Sequence, residues 1–201
     1  MINLPVPLQL TNCRTGSAVN AQLVELSARL AKSRFDGVWW RDLGVSSLRR
    51  REEGDHSWNW ADRIGMFRNS LAVESVGIQT SDGEIQGAMI YRIDGASVID
   101  TGKGAVYIDR LATAPRNREG LVEEPAYRGA GSGLLRWAAY HSYKLGLDGR
   151  LVLASLPDPN TTAFYERLGF KTTPADEDDM VVYELEPHEA QAFIAEDVGL
   201  I

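Results

Sequence analysis

Apolar residues recur along this chain with two periods, and the switches between them mark its elements. Residues 8–12, after Pro5 and Pro7, read as a first strand. Val19, Leu23, Leu26 and Leu30 lie four, three and four residues apart, which predicts one helical stripe ending near Phe35-Asp36-Gly37. Trp60, Ile64, Phe67 and Leu71 repeat that spacing, with Asp55 or Ser57 as the cap of a second helix. Between these stripes, residues 38–57 hold Trp39, Trp40 and the charge run Arg49-Arg50-Arg51-Glu52-Glu53, and read mostly as a loop. Residues 71–80 and 84–94 flank Ser81-Asp82-Gly83 as the two arms of a hairpin. Residues 104–113 are rich in β-formers and make the next strand.

A polar loop over 115–126 comes next. Arg128 to Gly133 then turns into a helix reaching about Leu145. Residues 150–156 read as a short strand, and 161–168 as a short helix capped by Asn160 and stopped by Gly169. A last strand at 180–186 and a final helix at 189–196 complete the order. This alternation predicts a single α/β domain over 1–201, built on a mixed sheet.

Composition narrows the class. A chain of 201 residues can bury one sizeable core, and 44% apolar with 24% charged residues is an ordinary globular balance. The single cysteine, Cys13, excludes an intramolecular disulfide and a zinc site built on paired cysteines. His56, His141 and His188 share no ligand spacing, so no metal is expected. No stretch approaches the roughly 18 apolar residues of a membrane span, and the start MINLPVPLQLTN lacks the pattern of a signal peptide. The expectation is a cytoplasmic protein with no membrane role. A net charge of −7 argues against nucleic-acid binding, which needs a broad basic surface. The sequence leaves the oligomeric state open, and a homodimer is compatible with it.

The turn Arg128-Gly129-Ala130-Gly131-Ser132-Gly133 carries the first chemical signal. Glycines let backbone N–H groups converge, and a helix start adds partial positive charge, so the turn suits a pyrophosphate. Gly133 is followed by Leu134-Leu135, not Lys-Ser/Thr, which excludes a P-loop. The Gly-x-Gly-x-x-Gly fingerprint also fails, because its last position falls on Leu134 or Arg136. Arg-x-x-Gly-x-Gly remains.

Two further segments accompany it: Leu111-Ala112-Thr113-Ala114-Pro115 upstream, and Asn160-Thr161-Thr162-Ala163-Phe164-Tyr165-Glu166-Arg167-Leu168-Gly169-Phe170 downstream. In this order the three segments resemble the GNAT superfamily of acyl-CoA-dependent N-acyltransferases, over about residues 104–185. The resemblance implies a mixed, mostly antiparallel twisted sheet flanked by helices, with two splayed central strands that admit the cofactor arm. It implies acetyl-CoA as cosubstrate and a primary amine, on a small molecule or a protein, as acceptor. Leu111, Ala112 and Thr113 would meet the arm through main chain. Arg128, Gly129, Ala130, Gly131, Ser132 and Gly133 would hold the pyrophosphate, and Asn160 would touch the arm. One departure stands out: twelve residues, 116–127, separate Pro115 from Arg128, where typical members have two or three.

Tyr165 falls where the family keeps a tyrosine to protonate the leaving thiolate, and packing beside Phe164 is the alternative. Asp109 is a candidate base. On a regular strand it shares a side with Tyr107 and Leu111, opposite Arg110, and a structural ion pair is the competing role. Glu123 and Glu124 in the insertion are further candidates. Two other functions stay open: a non-catalytic acyl-CoA-binding or regulatory module, and an unrelated domain whose glycine turn takes a phosphorylated ligand.

Overall fold

The computed structural model describes residues 4–41, 43, 53–177 and 179–195. The run Arg49-Arg50-Arg51 lies outside the described residues. The strands are β1 (Val6–Asn12), β2 (Ala18–Glu25), β3 (Val73–Thr80), β4 (Ile85–Ala96), β5 (Gly104–Thr113), β6 (Tyr127–Arg128), β7 (Leu151–Ser155), β8 (Lys171–Glu177) and β9 (Met180–Leu185). The helices are α1 (Ala28–Arg34), α2 (Trp60–Met66), α3 (Ala130–Lys144), α4 (Pro159–Arg167) and α5 (Pro187–Ala195). Among the described residues, nine strands form one sheet in the order β6-β1-β2-β3-β4-β5-β7-β9-β8. Neighbours run antiparallel except β5 and β7, which are parallel. No described helix is long and apolar enough to cross a membrane.

Three expected elements change, the simplest being the second helix, which is capped by Asn59 and ends at Met66, leaving Leu71 exposed. Residues 18–25 form a strand, not the first half of a helix. Val19 and Leu23 are four apart, which satisfies period 2 as well as the helical period, and pairing with β1 and β3 decides between them. The helix begins only after Ser27, whose hydroxyl accepts the N–H of Leu30. The cap of α4 is Asp158, which accepts the N–H of Thr161 at 2.9 Å, with Pro159 at the first helical position. Asn160 therefore lies inside the first turn, exposed, rather than at the cap.

Apolar clusters cover both faces of the sheet. On one face Leu134, Leu135, Trp137 and Ala138 of α3 pack on Ile78, Met89, Val106 and Ile108. On the other, Ala31 and Phe35 with Trp39 and Trp60 pack on Ile85, Ala88, Ile90 and Ala112. The buried Glu184 carboxylate takes the Ser97 hydroxyl and the N–H groups of Val98 and Ile99, which ties the β4–β5 connection to β9.

Candidate functional site

A break in the sheet defines the site. β5 and β7 pair only at Val106–Leu151, Tyr107–Val152 and Ile108–Leu153. Beyond that point β5 stays with β4 as far as Thr113, while β7 stays with β9 as far as Ser155. One edge of each strand is left open, and an extended group entering the gap would meet unpaired main chain.

A β-bulge opens this edge. Arg110 faces Ile90 and Ile108 faces Tyr91, so Asp109 is an extra residue in β5. The Val106 N–H points toward β7, bonding Arg150 O at 3.1 Å, whereas the Ala114 N–H points toward β4, bonding Gln86 O at 2.9 Å. Eight residues along a regular strand would put both on one edge. The bulge reverses the phase, so the main chain of Leu111 and Thr113 turns toward the gap.

The bulge also corrects the expected alternation of side chains. Asp109 and Arg110 both reach the α2 side, where Asp109 meets Arg63 and Arg110 meets the carbonyl of Asn59. Leu111 packs with the α3 cluster on the opposite face. Asp109 does not share a face with Leu111, because two consecutive residues at the bulge point the same way.

The three motif segments meet at the gap. Gly129 takes φ +98°, which a residue with a Cβ adopts only at a cost, and starts α3. A Cβ added at Gly131 would lie 3.3 Å from Phe164 Cζ and 3.4 Å from Thr113 Cγ2. The first turn of α3 therefore sits against the end of β5 and the flank of α4, with its leading N–H groups unused by the helix itself. Arg128 is one residue short of this turn. It pairs with Thr11 in the sheet, and its Nη2 donates to the exposed Glu119 Oε1 at 2.6 Å.

Tyr165 packs among Phe164, Phe170 and Tyr183 and is 7% exposed. Ser155, the last residue of β7, lies near enough to its hydroxyl to favour the phenolate slightly. Burial, reinforced by Tyr183, pushes its pKa up to about 12. Asp109 is 10% exposed, and both its oxygens are taken by Arg63, through Nε at 2.9 Å and through Nη2. The pair holds the guanidinium above its ordinary pKa, chiefly through the hydrogen bond.

Solved structures share this architecture. The GNAT domain of S. lividans PAT matches with a TM-score of 0.58 over 89% of this chain and 95% of its own, at 14% identity. The PaiA N-acetyltransferase of Thermoplasma acidophilum, solved with coenzyme A, matches at 0.50 over 83% and 98%, with 18% identity. A spermidine N-acetyltransferase chimera of Vibrio cholerae SpeG and hSSAT matches at 0.52 over 85% and 98%, with 13% identity. The chain has the GNAT fold. No family model matches the sequence, and no curated protein matches it.

On this GNAT fold the 116–127 insertion is pinned at both ends. Arg116 donates to Gln86 Oε1, Glu84 Oε2 and the carbonyl of Ile85, while Asn117 Nδ2 bonds Gln86 and Asn117 Oδ1 accepts the Tyr127 N–H. Between them Arg118 reaches back to β5. It donates to the Thr113 carbonyl at 2.7 and 3.0 Å, to both Asp55 oxygens at 2.7 and 2.5 Å, and to Glu53 at 3.0 Å. Its guanidinium also lies 5.3 Å from the Trp40 ring centroid. Burial lowers the Arg118 pKa, but Asp55 and Glu53 outweigh it and hold the charge in place. The Thr113 carbonyl, on the open edge, is thus already engaged by two donors of Arg118.

Two pockets lie on the α1–α2 side. One of about 320 Å³ is lined in part by Trp39, Trp40, Trp58, Asp36 and Asp55. The other, about 440 Å³, lies at the bulge and is lined by Arg63, Arg92, Asp94, Gly95, Ala96, Tyr107 and Asp109. Sequence reasoning missed Arg63, Arg92, Arg118 and Ser155, because nothing local marks them. Among the described residues no group of three or more His, Cys, Asp and Glu could hold a metal ion.

Proposed function

We propose that this protein is an acyl-CoA-dependent N-acyltransferase, with acetyl-CoA as donor and a primary amine as acceptor. The observation that carries the reading is the gap between β5 and β7, with the bulge on one side and the glycine turn of α3 at its mouth. The coenzyme A bound to one protein of this fold, and the amine substrate named for another, support the donor and acceptor classes. The pyrophosphate sits at the N–H groups of Gly129, Ala130, Gly131 and Ser132, where the helix dipole favours an anion, while the Gly133 N–H is spent on the Gly129 carbonyl at 2.8 Å. Arg128 swings from Glu119 to join it, since an exposed ion pair costs little to break. The pantetheine arm runs along the open edge at Leu111 and Thr113, using main-chain groups as an added strand would, with the Ala112 main chain between them turned to β4, and Asn160 meets it from α4.

In the reaction the neutral amine nitrogen attacks the thioester carbonyl carbon, the C–S bond breaks, the sulfur leaves with the electron pair, and the nitrogen gives up its proton to solvent. The Tyr165 hydroxyl, beside Ser155 at the gap, donates a hydrogen bond to that sulfur. A phenol with pKa about 12 stays protonated beside a thiolate whose parent pKa is ~8.5 for an ordinary thiol. Its role is therefore stabilisation of the developing charge, with the proton finally supplied from solvent. We assign Asp109 to holding Arg63 rather than to proton removal.

The burial of Tyr165 favours a second reading, a non-catalytic acyl-CoA-binding module. A thiol-release assay with acetyl-CoA and a panel of amines, followed by product mass, separates the two. The proposal expects free CoA and a product heavier by one acetyl group. CoA binding without release for any amine would favour the binding module, and no CoA binding would end both.

A further inference from the structure

The pocket at the bulge is lined by two cations and two anions. Arg63 uses Nε and Nη2 on Asp109, which leaves Nη1 with no described protein partner. Its guanidinium stacks over Phe67, with its carbon 4.8 Å from the ring centroid, so its orientation is fixed from two sides. Arg92 uses only Nε, on Asp94 at 3.1 Å, and both its terminal nitrogens are without a described partner. The carboxylates are spent differently. Both Asp109 oxygens are engaged by Arg63, whereas Asp94 is half exposed and gives one oxygen to Arg92. The donors left over outnumber the acceptors, and they are guanidinium donors, which suit a planar carboxylate. Gly95 and Ala96 keep the β4 wall low, and a Cβ at Gly95 would already lie 2.8 Å from the Ala105 carbonyl.

We infer that this pocket binds the acceptor, and that the acceptor is an amine that also carries a carboxylate, as an amino acid does. The inference rests on the acyltransfer reading for its direction. Donor and acceptor then approach the bulge from opposite faces of the sheet. Arg92 and the Nη1 of Arg63 take the carboxylate, and Asp94 faces the ammonium group. A polyamine is a poor fit, because it brings only cations to a pocket in which the unused guanidinium nitrogens outnumber the one unengaged Asp94 oxygen.

Matched amines test this. Calorimetric titration of the full chain, saturated with CoA, compares phenylalanine with phenethylamine and 4-aminobutyrate with propylamine. Each pair differs by one carboxylate. The inference expects the carboxylate-bearing member to bind about tenfold more tightly or better, the scale of a charged hydrogen-bonded contact. Arg92→Gln, a half-exposed surface change, should abolish that preference while leaving the Kd for CoA unchanged. Equal or tighter binding of the decarboxylated member would overturn the inference, as would a preference untouched by Arg92→Gln or no binding of any pair. Acceptor binding is read without turnover. A failed acyltransfer reading would instead appear as absent thiol release with the carboxylate preference intact.

Discussion

The two faces of β5 are built by different means. On the α3 side, the glycine turn, the end of β5 and the flank of α4 come from three compact segments, and backbone does most of the work. On the α1–α2 side, Arg118 reaches Asp55 across 63 residues, and Arg63 reaches Asp109 across 46. Here single charged side chains set the shape. On the acyltransfer reading the first face would hold a feature that any acyl-CoA shares, and backbone is enough for that. The second would then fit one acceptor, and it is assembled from side chains and from the 116–127 segment. The contrast makes separable predictions: changes on the α3 side should alter donor handling, and changes on the α1–α2 side should alter stability and acceptor choice.

The largest effect is expected at the junction of the faces. Tyr165→Phe keeps the ring and its packing, and should lower turnover about 10²–10³-fold, the scale for one donor to a developing anion. The Kd for acetyl-CoA should stay nearly constant, because the bond strengthens only as the sulfur leaves. Steady-state kinetics with a working amine checks both values, and normal turnover would remove Tyr165 from the chemistry.

Next comes Arg118→Met. It leaves the largely buried Asp55 carboxylate without its cation and the Thr113 carbonyl without its donor, which should cost about 3 kcal/mol of stability. Denaturant unfolding measures this. A loss within about 0.5 kcal/mol, the range of ordinary surface changes, would mean that the insertion is not latched to the body of the fold.

Gly131→Val should then weaken CoA about tenfold or more, by pressing two methyl groups toward Phe164 and Thr113 at the mouth of the gap. Its amine preferences should not change. Unchanged CoA affinity in a folded variant would move the pyrophosphate away from this turn.

The smallest effect is a null one. With its pKa raised to about 12, Tyr165 stays protonated at every pH below the ordinary phenol value, near 10. Tyr165→Phe should therefore lower the pH–rate profile without shifting its inflections. The same raised pKa favours the folded state. That contribution is complete below pH ~10 and is lost as pH rises toward 12. An inflection near neutral pH that vanishes in the variant would contradict this.

How much of this was legible beforehand follows the same division. The glycine turn and the helix that carries Tyr165 could be read because each lies in a contiguous motif, whereas the gap followed only from the family resemblance. The misread strand at 18–25 turned on a spacing of four, which fits both periods until neighbours compete for the edge. The bulge at Asp109 is invisible to a period-2 reading, yet it decides which main-chain groups and which side chains face the gap. Arg118 sat in plain view within a polar loop, but its partners Thr113, Asp55 and Glu53 meet it only through the fold. For Asp109 the sequence offered a base or an ion pair, and the fold supplies Arg63 as the ion-pair partner.

The central claim is that the open edge of β5 receives the arm of an acyl-CoA. Amide hydrogen exchange with and without saturating CoA tests it most directly. The account predicts slowed exchange at the N–H groups of Leu111 and Thr113 and at the first turn of α3, with little change at the strand pairs of β1, β2 and β3. Tight CoA binding that leaves Leu111, Thr113 and residues 130–132 unprotected would contradict it.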